Sequence, residues 1–170
     1  MRVVGGRLKG RSLASPSSRD IRPTADRLRE SLFNILIHAY DDPIADARVL
    51  DLFAGTGALG IEALSRGAAV AVFVEDHPES LKVLRRNLED LGLVGRTTVW
   101  PLPVAMALKK VADRGEDFGL AFLDPPYGGG RSVAALGALE AINILVPGAL
   151  VVVEHSRRES LPEACGALSR

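Results

Sequence analysis

Cysteine, histidine and aromatic side chains are scarce: one cysteine, three histidines, one tryptophan and 5% aromatics in 170 residues. A lone Cys165 closes no internal disulfide, and no Cys/His cluster has zinc-ligand spacing, so neither staples nor a structural metal carry the fold. His38, His77 and His155 share no spacing that would gather them, and capping or solvated roles are expected. So few aromatics exclude extended base stacking as a binding mode. The apolar runs 68–74 and 149–153 fall far short of the roughly 18 to 20 residues that span a bilayer, and the first residues carry no apolar signal core. The expectation is a soluble protein of a reducing, cytoplasmic compartment with no membrane partner. What is present, 47% hydrophobic and 25% charged residues with mean hydropathy +0.15, is the balance of one globular domain rather than a disordered chain.

Net charge is also lacking, since 21 basic residues offset 21 acidic ones. The zero is a sum of unlike parts. Residues 1–29 hold Arg2, Arg7, Lys9, Arg11, Arg19, Arg22, Arg27 and Arg29 against Asp20 and Asp26, which makes that segment +6 and the remainder −6. A basic arm on an acidic body suits a polyanionic partner; the plainer alternative is a solvated face of a hairpin and helix.

Short strands at 2–4 and 11–14, separated by Gly5-Gly6 and Gly10, predict a basic β-hairpin. A polar linker follows at 15–22. Thr24 is placed to cap a helix whose Leu28, Leu32, Ile35, Leu36 and Ala39 recur at helical spacing, ended by Asp41-Asp42-Pro43. From Arg48 strands and helices alternate: strands at 48–52, 70–75, 97–100, 118–123 and 149–154, with helices at 58–65, 78–91, 104–113 and 133–145. Five apolar strands joined by helices require crossovers. The predicted class is therefore α/β, a doubly wound and mainly parallel Rossmann-like sheet with an N-terminal hairpin and helix extension. Ligands in such sheets lie beyond the carboxyl ends of the strands, just after Leu52, Glu75, Trp100 and Leu123.

After the first strand comes Asp51-Leu52-Phe53-Ala54-Gly55-Thr56-Gly57-Ala58-Leu59-Gly60, a G-x-G-x-x-G match, with Glu75 ending the second strand twenty residues beyond Gly55. Taken alone the glycines fit a dinucleotide fingerprint, or a tight turn with no ligand. Asp51 discriminates between them. A carboxylate there repels a pyrophosphate and welcomes the ammonium of S-adenosylmethionine, while Glu75 suits the ribose diol of either cofactor.

The fourth strand runs directly into Asp124-Pro125-Pro126-Tyr127. Two prolines remove backbone donors and stiffen the turn, leaving a carboxylate, carbonyl oxygens and an aromatic face. That set suits an exocyclic amine on a nucleobase. The amine's lone pair is delocalised into the ring, and N–H bonds accepted by Asp124 and a proline carbonyl would make it more available, with Tyr127 stacked on a base taken out of its helix. Positioning and electrostatics would carry most of the catalysis.

The glycine loop and Asp-Pro-Pro-Tyr together resemble a class I S-adenosylmethionine-dependent amino-methyltransferase. The run 22–34, Arg-Pro-Thr-Ala-Asp-Arg-Leu-Arg-Glu-Ser-Leu-Phe-Asn, with Gly5-Gly6 and Gly10-Arg11 ahead of it, narrows the resemblance to the RsmD family of small-subunit ribosomal RNA guanine-N2 methyltransferases. It covers about residues 2–155. The resemblance implies methylation of one guanine N2 in 16S rRNA, within an assembled or assembling small subunit, with S-adenosylhomocysteine as product and no metal. It assigns the cofactor to Asp51, Phe53, Ala54, Gly55, Gly57, Glu75 and Asp76, and the target amine to Asp124, Pro125, Pro126 and Tyr127. Arg2, Arg7, Lys9 and Arg11, with Arg22 and Thr24, would meet RNA or close over the site. On this reading residues 1–23 are an extension and 24–170 the methyltransferase domain.

The sequence departs from the family at two points. Val104 stands where many relatives carry Asp or Asn toward the adenine, so recognition there falls to backbone groups or packing. Residues 161–170 are expected not to supply the family's C-terminal antiparallel hairpin, so that either the chain is truncated there or strand 149–154 lies near an edge, open to pairing with another chain. The rival readings are an adenine-N6 or cytosine-N4 methyltransferase, a non-catalytic RNA-binding assembly factor, and, less well matched, a nicotinamide oxidoreductase that would leave Asp-Pro-Pro-Tyr idle.

Overall fold

In the computed structural model the described residues are 1–15, 23–126, 130–156 and 159–170, so the polar linker expected before the first helix falls almost wholly outside them. Five strands, β1 Arg48–Asp51, β2 Val70–Val74, β3 Thr97–Trp100, β4 Phe118–Leu123 and β5 Leu145–Val153, form one sheet in the order β3-β2-β1-β4-β5, each pair parallel. Crossovers are supplied by α2 Ala58–Ser65, α3 Pro78–Asp90, α4 Val104–Asp113 and α5 Arg131–Glu140, while α1 Pro23–Ala39 precedes the sheet. The strands are too apolar to alternate with water, and both faces are covered. Phe33 and Leu36 of α1, Ile61 and Leu64 of α2, and Leu84 and Leu88 of α3 pack on Val49, Ala71, Phe73, Leu120 and Phe122. On the other face Leu108 and Val111 of α4 and Leu136 and Leu139 of α5 meet Leu50, Leu52, Val72, Val74, Ala121 and Leu123. Strand order reverses between β1 and β4, which puts the ligand crevice of this topology at their carboxyl ends.

The expected doubly wound sheet is thus present, with three differences in detail. The N-terminal hairpin is reduced to one antiparallel bridge, Arg2 to Ser12, around a 3₁₀ turn at Gly6–Leu8. Gly6 has φ +70° and lies against the Ser65 carbonyl, where a side chain would collide, so the arm bends to follow α2 instead of pairing straight. Helix α1 starts at Pro23, which sets Thr24 inside its first turn rather than at its cap. Helix α5 stops at Glu140, short of the predicted end, because Asn143 takes a left-handed φ of 54°; β5 then begins at Leu145, with a register shift on the Phe118–Leu120 stretch of β4. The apolar Ala141, Ile142 and Leu145 continue the helical spacing beyond where the backbone turns.

The last residues depart from expectation as well. Ala164–Cys165 and Leu168–Ser169 pair as a two-residue antiparallel hairpin, β6 with β7, separate from the main sheet, and β5 takes the sheet's edge.

The N-terminal arm is built into the domain rather than attached to it. Val3 and Leu13 are buried, the Val4 N–H donates to Glu62 Oε2 at 2.9 Å, and the Leu8 N–H donates to Ser65 Oγ at 2.9 Å. Glu62 is fully buried and also receives Arg66 Nε at 2.7 Å, with Arg29 Nε at 3.6 Å, and Arg29 in turn donates to the Arg2 carbonyl and to Asp26. Arm, α1 and α2 are joined through this one carboxylate. Removing one member of such a group leaves buried charge uncompensated, at a cost of about 3 to 5 kcal/mol. Glu62→Ala is therefore expected to lower unfolding stability by roughly 3 kcal/mol in urea denaturation; a loss under about 1 kcal/mol would show the network to be peripheral.

Candidate active site

Beyond β1 the chain must turn sharply into α2, and three glycines permit it for three different reasons. Gly55, at φ +55°, faces open space where a side chain would project. Gly57, at φ +82°, is the left-handed residue before α2, and a Cβ there would strike Leu84. Gly60 presses its Cα against the Phe73 ring, so it serves helix-to-strand packing. Only Gly55 of the three leaves room for a ligand against bare backbone.

Carboxylates fix this turn from both sides. Glu75, just past β2, accepts the Gly55 N–H at 2.7 Å on one oxygen and the His77 N–H at 2.8 Å on the other. Asp51, the last residue of β1, accepts the Gly60 N–H at 3.1 Å on Oδ2, while its Oδ1 is buried with no hydrogen-bond partner. Burial pushes the Asp51 carboxyl up to about 7; the Gly60 N–H and the nearby Phe53 N–H oppose the shift, and the negative charges of Asp124 and Glu75 add to it. Asp51 lies 1% exposed beneath the turn and is not part of the cavity wall.

That cavity, about 110 Å³, is lined by Leu52, Phe53, Val74, Glu75, Asp76, Leu102 and Val104. Phe53, Glu75, Asp76 and Val104 thus share one cavity, together with Leu102, which the sequence pattern did not single out. Ala54 is buried, its N–H donated to the Val74 carbonyl at 3.0 Å, and it stands behind the wall rather than on it. Asp124 and Pro125 follow β4 on the neighbouring strand, with Asp51 in register with Phe122 two residues before Asp124. Pro125 is buried and Pro126 exposed. Tyr127 and Arg22 lie outside the described residues.

On the arm, Arg2, Arg7 and Lys9 are exposed, as is Arg11, which donates to the Asp90 carbonyl at 2.8 Å. Arg2 and Lys9 line a second, open hollow with Arg27, Asp26 and Glu30. Two polar residues escaped the sequence reading: Glu62, and Asn87 of α3, whose amide reaches both the glycine turn and the arm. Their signal was a polar residue on an otherwise apolar helix face, Asn87 among Leu84, Leu88 and Leu91.

The residues present fit S-adenosylmethionine. An orphaned carboxylate oxygen under the turn and acidic groups along the wall favour a cation and repel a pyrophosphate, while Phe53, Leu102 and Val104 offer an apolar wall for a base. Among the described residues no group of three or more His, Cys, Asp or Glu could hold a metal ion.

A 3-2-1-4-5 parallel sheet with this anionic cradle after β1 and Asp-Pro-Pro after β4 has the fold of a class I methyltransferase. Comparison with known proteins narrows the class. The family model described as Conserved hypothetical protein 95 matches residues 1–170. YlbH of Bacillus subtilis (strain 168) is 39% identical over 168 residues, covering 99% of this chain and 89% of its own. Ribosomal RNA small subunit methyltransferase D of Escherichia coli (strain K12) is 38% identical over 162 residues, 95% of this chain and 78% of its own. The solved structure of hypothetical protein TTHA0928 from Thermus thermophilus superposes with a TM-score of 0.81 at 38% identity, over 95% of this chain and 90% of that one. The chain belongs to this family, the RsmD family, and is a methyltransferase.

A carboxyl raised to about 7 in the folded state binds a proton that the unfolded chain has released above its ordinary 3.8. The contribution of Asp51 to stability therefore falls as pH rises through that interval. Asp51→Asn, which keeps an oxygen for the Gly60 N–H, is expected to gain stability relative to the parent between about pH 5 and about pH 8 in urea denaturation. A difference that stays constant with pH would contradict the buried, proton-binding state.

Proposed function

We propose that this protein transfers a methyl group from S-adenosylmethionine to the exocyclic N2 of a specific guanine in 16S rRNA, presented in an assembled or assembling small subunit in the cytoplasm. The observation that carries the reading is the meeting, at the β1/β4 switch, of the carboxylate-pinned glycine turn and the Asp124-Pro125 segment on adjacent strand ends, in a chain 38% identical to an rRNA small subunit methyltransferase.

When bound, S-adenosylmethionine supplies an electrophilic methyl group on a sulfonium. Gly55 lets the backbone approach its methionine end, with Phe53 alongside and the field of Asp51 beneath the ammonium. Glu75 has lone pairs left for a ribose diol after receiving two backbone N–H groups, and Asp76 flanks the adenine. Val104 and Leu102 give the adenine an apolar wall. The opening turn of α4, whose first N–H groups have no partner inside the helix, adds backbone donors beside that wall.

On the other side Asp124 and the Pro125 carbonyl accept the two N–H bonds of the target amine and aim its lone pair at the methyl carbon, and Tyr127 stacks on the flipped base. The amine nitrogen would take the methyl group of the bound cofactor, which leaves as S-adenosylhomocysteine. Asp124 stabilises the positive charge developing on nitrogen before the proton leaves. The exposed Arg2, Arg7 and Lys9, with the Arg22–Thr24 stretch, hold the RNA backbone, and Arg11 does so from the α3 side.

Asp124→Ala is expected to lower kcat for methyl transfer to small subunits by about 10²-fold or more while cofactor affinity, read by calorimetry, changes little. Parallel loss of both would contradict its assignment to the amine. Replacing Arg7 and Lys9 by Ala should flatten the dependence of RNA affinity on salt, by about 0.7 to 0.9 in log–log slope for each phosphate the arm no longer neutralises; an unchanged slope would remove the arm from the interface.

A further inference from the structure

We propose that Asn87 is a positioning residue that ties the RNA-facing N-terminal arm to the cofactor turn, so that RNA and cofactor raise each other's affinity through it. The proposal rests on the reading above for the identity of both ligands, but its evidence is separate.

Asn87 is 2% exposed on α3, and its amide is fully engaged. Oδ1 accepts the Ala14 N–H at 2.7 Å, and Nδ2 donates to the Ala14 carbonyl at 3.1 Å and to the Thr56 carbonyl at 2.9 Å. A buried amide is costly unless its donors and acceptor are met, and here every partner is backbone of two segments with functional work. Thr56 stands between Gly55 and Gly57, both left-handed, so the direction of its carbonyl sets the peptide planes of the turn. Glu75 grips that turn at the Gly55 N–H and Asn87 grips it at the next carbonyl.

Ala14 lies three residues beyond Arg11, at the end of an arm pinned to α2 by the Val4 N–H on Glu62 and the Leu8 N–H on Ser65. Load placed on the arm's basic side chains reaches Ala14 through backbone hydrogen bonds that bridge residues 1–3 with 10–13, then Asn87, then Thr56. A cofactor that orders the turn orders Asn87 and the arm in the reverse direction. Such coupling between two binding equilibria is reciprocal by necessity.

The test is equilibrium dialysis of labelled S-adenosylhomocysteine with the full chain, with and without saturating small ribosomal subunits. For the parent protein, subunits are expected to tighten cofactor binding about fivefold or more. Asn87→Asp keeps an acceptor for the Ala14 N–H but sets a carboxylate oxygen against the Thr56 and Ala14 carbonyls, and should bring the ratio close to one. Should that variant fail to fold, Ala14→Pro removes the arm's N–H while leaving the Asn87 to Thr56 bond, and should also reduce the ratio. A purely structural Asn87 would shift stability and leave the ratio alone. Equal ratios in parent and folded variant, or a parent ratio of one, overturn the proposal; no cofactor binding by the parent would defeat the methyltransferase reading itself and this proposal with it.

Discussion

Two carboxylates hold the turn after β1 in the one shape that leaves Gly55 open: Glu75 on the Gly55 N–H and Asp51 on the Gly60 N–H. Each stands at the carboxyl end of a strand, and each strand is held by its parallel neighbours, so the turn is positioned by the sheet rather than by its own sequence alone. The arrangement has an electrostatic consequence. Burial drives Asp51 toward its neutral form, and the negative charges of Asp124, after β4, and of Glu75, after β2, add to the shift by repulsion. A cation entering the crevice relieves that repulsion, which is the physical reason this glycine turn suits a sulfonium cofactor rather than a pyrophosphate.

The basic segment changes meaning once its anchors are visible. Its charge is displayed outward by Arg2, Arg7 and Lys9, but its backbone is docked on Glu62, Ser65 and Asn87, and its buried Val3 and Leu13 belong to the core. Glu62 is buried, and its carboxylate accepts one N–H of the arm and the Arg66 guanidinium, with Arg29 in ion-pair range at 3.6 Å. The basic arm and the glycine turn are therefore parts of one packed layer, with α2 and α3 between them.

Much of this was legible beforehand because local and long-range signals agree. The boundaries of α2, β3, α4 and β4 follow directly from apolar runs bounded by Gly67, Gly115 and the Pro101 and Pro125 turns. The site was legible through Asp51, Glu75 and Asp124, whose charge on otherwise apolar strands has no packing reason. Less legible were features set by tertiary contact. Gly57 and Gly60 look like ligand glycines and serve packing against Leu84 and Phe73, and α5 ends where Asn143 reverses the backbone although apolar spacing continues. Asn87 and Glu62 read as ordinary helix residues until their partners, 73 and 58 positions away, are seen.

In the proposed function the cradle after β1 and Asp-Pro-Pro after β4 serve one reaction on one kind of amine. That proposal is tested most directly by incubating the protein with methyl-labelled S-adenosylmethionine and small ribosomal subunits lacking the modification, then resolving the labelled nucleosides. The predicted result is label in N2-methylguanosine alone. Label in N6-methyladenosine or N4-methylcytidine, or none with a protein that binds the cofactor, would contradict it.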